Sequence, residues 1–107
     1  MKVHFTFRHM DSTQELKDHT VDKLAKLSRY EEREMTVHAI FTAEKHAKNV
    51  EFTLNGSGHQ FVSHESCEDM YEAIDVAVDK LDRQLNKEKE KRKHHKGAQG
   101  STPQTIG

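Results

Sequence analysis

Apolar and polar positions alternate from the start of the chain, with Val3, Phe5 and Phe7 set against His4, Thr6 and Arg8. A period of two marks a strand with one buried face, which places a first strand at about residues 2 to 8. The period then changes. Leu16, Thr20, Leu24 and Leu27 recur at helical spacing through Tyr30, and Ser12 with Glu15 three residues on has the form of a capping box, so a helix is expected to start there. The charged run Glu31-Glu32-Arg33-Glu34 reads as a solvated connection. Alternation returns at Met35, Val37, Ala39, Phe41 and Ala43, with Ile40 as the one large apolar residue on the outward side, and again at Val50, Phe52 and Leu54. Between that third strand and a fourth at about residues 59 to 66 lies Asn55-Gly56-Ser57-Gly58, a hairpin signal in which glycine supplies the positive φ such turns need. In the fourth strand Phe61 and Ser63 face inward, Val62 and His64 outward. A second helix follows, capped by Asp69, or by Ser66 with Asp69 as its acidic partner. Its apolar stripe is Met70, Ile74, Ala77, Val78, Leu81 and Leu85.

The order β-α-β-β-β-α implies an α+β fold, a four-stranded mixed sheet with two helices packed on one face. A helical crossover makes strands 1 and 2 parallel, and the remaining neighbours are expected to be antiparallel. With 107 residues, one domain is expected, over residues 1 to 96. Lys87 to Lys96 can remain helical only as a solvated extension, and residues 97 to 107, without charge and with a single large apolar side chain, are expected to be a disordered tail.

Composition narrows the function. No apolar run is long enough to span a bilayer, and Met1-Lys2-Val3-His4 opens directly into the alternating pattern rather than a signal core. A cytoplasmic protein with no membrane association is expected. Cys67 is the only cysteine, which excludes an internal disulfide. The formal net charge of -1 conceals an asymmetry: residues 1 to 79 hold 9 Lys/Arg and 15 Asp/Glu, a net of -6, whereas residues 80 to 107 hold 8 and 3, a net of +5. A polyanion responds to such local potential rather than to the sum.

Helix 2 sorts its charges. With residues about 100° apart and Leu81 facing the core, Lys80, Lys87 and Lys91 fall roughly 80 to 120° to one side and Arg83 at about 160°. On the opposite flank Asp82, Asp75, Asp79, Glu72 and Glu90 fall between roughly 100 and 180°. Separated signs favour a directional partner over a face laced with ion pairs. Helix 1 carries Lys23, Lys26 and Tyr30 on one flank with His19 close by, so two adjacent helices are expected to merge their cations into one basic surface suited to RNA phosphates.

Other chemistry is thinly supported. The nine histidines show neither helical i, i+4 pairs nor Cys/His doublets, so no metal or cofactor is expected, and surface histidines touching RNA fit better. The carboxylates sit mostly on exposed helix positions, and Gly56-Ser57-Gly58 joins two strands without the helix a phosphate loop needs. Catalysis is not expected.

Glu68-Asp69-Met70-Tyr71-Glu72-Ala73-Ile74-Asp75, continued by Asp79-Lys80-Leu81-Asp82-Arg83-Gln84-Leu85-Asn86-Lys87, resembles the second-helix signature of ribosome hibernation promoting factors and the related ribosome-associated inhibitor. Lys23-Leu24-Ala25-Lys26-Leu27 resembles the matching first helix of that family. The resemblance implies a factor of stress or stationary phase, monomeric off the ribosome, that lodges in the mRNA/tRNA channel of the small ribosomal subunit and reversibly inhibits translation by obstruction. The RNA-facing positions it implies are Lys23 and Lys26 of helix 1, and Lys80, Arg83, Gln84, Lys87 and Lys91 of helix 2. Two other readings fit the charge pattern: a module docking an acidic protein such as a sigma factor, and a general double-stranded RNA binder.

Overall fold

The alternating segments pair as one sheet in the order β1-β2-β3-β4. In the computed structural model, which describes the backbone of residues 1–98 and the side chains of residues 1–91, β1 is Lys2–Arg8, β2 Thr36–Ala43, β3 Lys48–Gly56 and β4 His59–Cys67. β1 and β2 run parallel, Val3 opposite Val37 and Phe7 opposite Phe41. The β2–β3 and β3–β4 pairs are antiparallel. Helix α1 spans Gln14–Leu24 and α2 spans Met70–Ala98. The architecture is α+β, β-α-β-β-β-α. α2 extends past residue 96, and the remainder of the expected tail, from residue 99, lies outside the described residues.

The buried side of the sheet explains the alternation. Val37, Ala39, Phe41, Val50, Phe52 and Leu54 have no exposed surface, and they meet Ala73, Ile74, Ala77 and Leu81 of α2, which are equally covered. Phe5 and Phe7 of the edge strand stack on Phe41 with centroids 6.2 and 5.0 Å away. α2 lies over β3 and β4, and α1 packs beside it. Ile40 does point away from the helices and is half-buried.

Local signals were shifted in four places. The cap of α1 is Thr13, whose Oγ1 accepts from the Leu16 amide at 3.1 Å, rather than Ser12. The α-helix ends at Leu24 and tightens into a 3-10 segment, Ala25–Tyr30. That segment keeps Leu27 in the core and turns Arg29 and Tyr30 toward α2. Glu31, expected to be solvated, accepts from the Met35 amide at 2.9 Å. At the hairpin, Ser57 and Gly58 take the left-handed conformation, with φ of 53° and 79°. Gly56 serves a different need: a Cβ there would stand 2.8 Å from Met35 Cγ. For α2 the choice between caps resolves to Asp69, whose Oδ1 accepts from the Tyr71 amide at 3.1 Å.

Candidate nucleic-acid interface

The apolar stripe of α2 is fixed by the sheet, and this fixes where its two charged rows point. The acidic row turns toward α1. Asp75 Oδ1 meets His19 Nε2 at 2.7 Å, Asp79 pairs with Lys26, and Asp82 Oδ1 accepts from Arg29 and from the Tyr30 hydroxyl, each at 2.9 Å. Three aspartates one turn apart therefore take three successive partners from α1 and its 3-10 extension. Burial pushes the Asp82 carboxyl up, but the hydrogen bonds from Arg29 and then Tyr30 outweigh it and hold the group below the ordinary carboxylate range. The same contact with Asp82 raises the Arg29 guanidinium. Burial, reinforced by the bond to Asp82, raises the Tyr30 phenol.

The basic row turns the other way, toward β4. Lys80 Nζ donates to Glu65 at 2.6 Å and to the His64 carbonyl at 3.1 Å, and Gln84 Nε2 donates to the Val62 carbonyl at 2.8 Å. Arg83, Lys87 and Lys91 are exposed and have no ion-pair partner among the described residues. Lys23, half-buried on α1, likewise lacks one.

The seven residues singled out in the sequence thus separate. Arg83, Lys87 and Lys91 form one free cationic row on the outer face of α2. Lys80 and Gln84 adjoin it but are engaged by β4. Lys26 and Lys23 lie across the acidic row, so the expected single basic surface over both helices is interrupted by Asp75, Asp79 and Asp82. The interruption follows from packing: the aspartates are what α1 docks on. The signal for it was present in the sequence, as carboxylates at i, i+4 and i+7 on α2 matched by His19, Lys26 and Arg29. Arg29 and its partner Asp82 are the residues whose joint role the sequence reading missed.

The fold and surface define a two-layer α+β domain with a charge-sorted helix on its outside. No helix among the described residues is long and apolar enough to cross a membrane. The chain belongs to the sigma 54 modulation protein / S30EA ribosomal protein family, whose model matches residues 3–93. It is 43% identical over 91 residues to a ribosome hibernation promoting factor of Azotobacter vinelandii, covering 85% of each chain. To the ribosome hibernation promoting factor of Escherichia coli K12 it is 35% identical over 95 residues, 89% of this chain and all of the relative. Among solved structures it resembles the N-terminal domain of Thermus thermophilus protein Y, with a TM-score of 0.76 at 26% identity over 81% of this chain and 98% of the other. A ribosomal subunit interface protein from Coxiella burnetii gives a TM-score of 0.73 at 27% identity, covering 83% of this chain and 98% of that one.

Proposed function

We propose that this chain is a ribosome hibernation factor that binds the RNA of the small ribosomal subunit in the mRNA/tRNA channel and reversibly stops translation under stress or in stationary phase. The carrying observation is the free row Arg83, Lys87 and Lys91, three exposed cations one turn apart on one helix, in a chain whose relatives bear the hibernation name. Such a row meets successive phosphates on structured RNA, and its strength comes from counterion release. Inhibition is then steric: the domain occupies the path of messenger and transfer RNA and makes no covalent change. On this reading the factor works in the cytoplasm, is a monomer off the ribosome, and counts Lys23, Lys26, Lys80 and Gln84 as flanking contacts around the central row.

The test is a sucrose-gradient profile of ribosomes with the purified protein, joined to cosedimentation with isolated small subunits. Comigration with small subunits, weakening steeply with salt, is the expected result. Equal affinity for any RNA duplex would replace it with a general double-stranded RNA binder. Binding to an acidic protein without binding to subunits would replace it with a protein-docking module.

A further inference from the structure

The side of the sheet turned away from the helices presents exposed side chains from all four strands among the described residues, and the cationic row on α2 does not involve it. His4 and Arg8 of β1, His38 of β2 and His64 of β4 are exposed there, and Thr53 of β3 lies between them, half-buried. The His4 and His38 rings are stacked, centroids 4.9 Å apart and planes within 19° of parallel. That distance matches the spacing of neighbouring strands, about 4.8 Å, so both rings stand on edge across the β1–β2 direction. In each, the ring face away from the stack meets no other ring among the described residues. That of His4 looks off the β1 edge, where no strand follows. That of His38 looks over its register partner Thr53, a small side chain. Four residues along β1, about 13 Å at strand rise, Arg8 and His64 line a groove of about 380 Å³ with Thr42, Asn49 and Glu51.

We propose that this open face is a second RNA site, for a short single strand whose bases stack on the outer faces of the His4–His38 pair while the following nucleotide enters the groove at Arg8 and His64. Planar rings with free faces on an exposed sheet are how unpaired bases are held, and paired bases cannot reach such rings. The charges favour stacking over phosphate capture. Lys2 and Arg8 are balanced by Glu44 and Glu51 on and around this face, in contrast with the unbalanced row on α2. The site should therefore respond weakly to salt, with a log-log slope of about -1 or shallower. The proposed function supplies only the source of the strand; the stacking site stands on this face itself.

Fluorescence anisotropy with labelled hexaadenylate RNA tests the proposal. The intact chain should bind it, and His4→Ala with His38→Ala should weaken binding by roughly fivefold or more, since stacking contributes about 1–3 kcal/mol per base. His4→Phe, which keeps a stacking face, should retain binding. Arg83→Glu with Lys87→Glu should leave hexaadenylate binding unchanged while reducing binding to small subunits. No affinity in the intact chain, no effect of the double alanine variant, or equal loss in the Arg83/Lys87 variant overturns the sheet site. Failure of the helix reading shows separately, as undiminished subunit binding by the Arg83/Lys87 variant.

Discussion

The Lys80 ammonium stands 2.6 Å from the Glu65 carboxylate, and the same nitrogen donates to the His64 carbonyl at 3.1 Å. One turn later Gln84 donates to the Val62 carbonyl at 2.8 Å. β4 has a strand on one side only, so two carbonyls two residues apart on its free edge are occupied by side chains of α2. A free edge is a template for pairing with another chain, and lysine placed on it is a common defence. These two residues therefore cover an edge as well as adjoining the cationic row.

Lys80→Ala with Gln84→Ala should leave the fold intact, because Lys80 is 40% exposed in its side chain and exposed pairs contribute about 1 kcal/mol or less. The uncovered edge should instead promote self-association. Sedimentation velocity over a range of concentrations should show larger species for the variant and a single species for the intact chain; identical profiles would show that the edge needs no cover.

Asp82 links charge to stability. Its carboxyl is held below its ordinary range in the folded chain by Arg29 and Tyr30, against the opposing effect of burial. A depressed acid stabilises the fold fully above its unfolded pKa, roughly 3.9, and that contribution is lost as pH falls through the lower folded value. Asp82→Asn should therefore reduce unfolding free energy by about 1 kcal/mol at pH 7, with the gap closing below about pH 4. Denaturant titrations at pH 7 and pH 3 check this; an equal gap at both would mean that the loss is one of shape rather than charge.

Gly56→Ala should be the more damaging of two glycine substitutions in the hairpin. The added carbon would stand 2.8 Å from Met35 Cγ, and Met35 is itself buried at 3% exposure. Overpacking of this kind costs about 1–3 kcal/mol. Gly58→Ala meets open space and carries only the strain of its positive φ, about 1–2 kcal/mol. Thermal melts of the two variants should rank in that order.

These cases show which parts of the molecule were legible in the sequence. The strands and the stripe from Met70 to Leu85 could be read because each repeats a period over many residues, and burial enforces the period. Features decided by one neighbour were harder. Thr13 rather than Ser12 caps α1 because the helix begins one residue later than the box pattern implies, and Gly56 is required by Met35, which is distant in sequence. The charge rows of α2 were legible as rows, but which one faces the other helix depends on α1 lying beside α2 toward Asp75 and Asp82, a relation that the periodicity of either helix alone does not contain.

That relation decides how the cationic row must be tested. Arg83→Glu with Lys87→Glu changes two exposed residues that lack ion-pair partners among the described residues, so the fold should persist and circular dichroism should match the intact chain. Reversing Asp75, Asp79 and Asp82 is unsuitable as a control, since it would break the contacts to His19, Lys26 and Arg29. A fair control is Arg33→Glu with Lys45→Glu, two exposed cations in connecting segments away from α2, with the same change in formal charge. For the intact chain, about five phosphate contacts give a log-log salt slope of roughly -3 to -5 in small-subunit cosedimentation. Losing two contacts should make that slope shallower by about 2 and lower affinity by about tenfold or more at moderate salt. The control shifts only the long-range attraction and should keep the slope. Relief of inhibition in cell-free translation should follow the Arg83/Lys87 variant alone. If both variants lost affinity equally with unchanged slopes, net charge rather than the row on α2 would govern binding, and the helix interface would have to be abandoned.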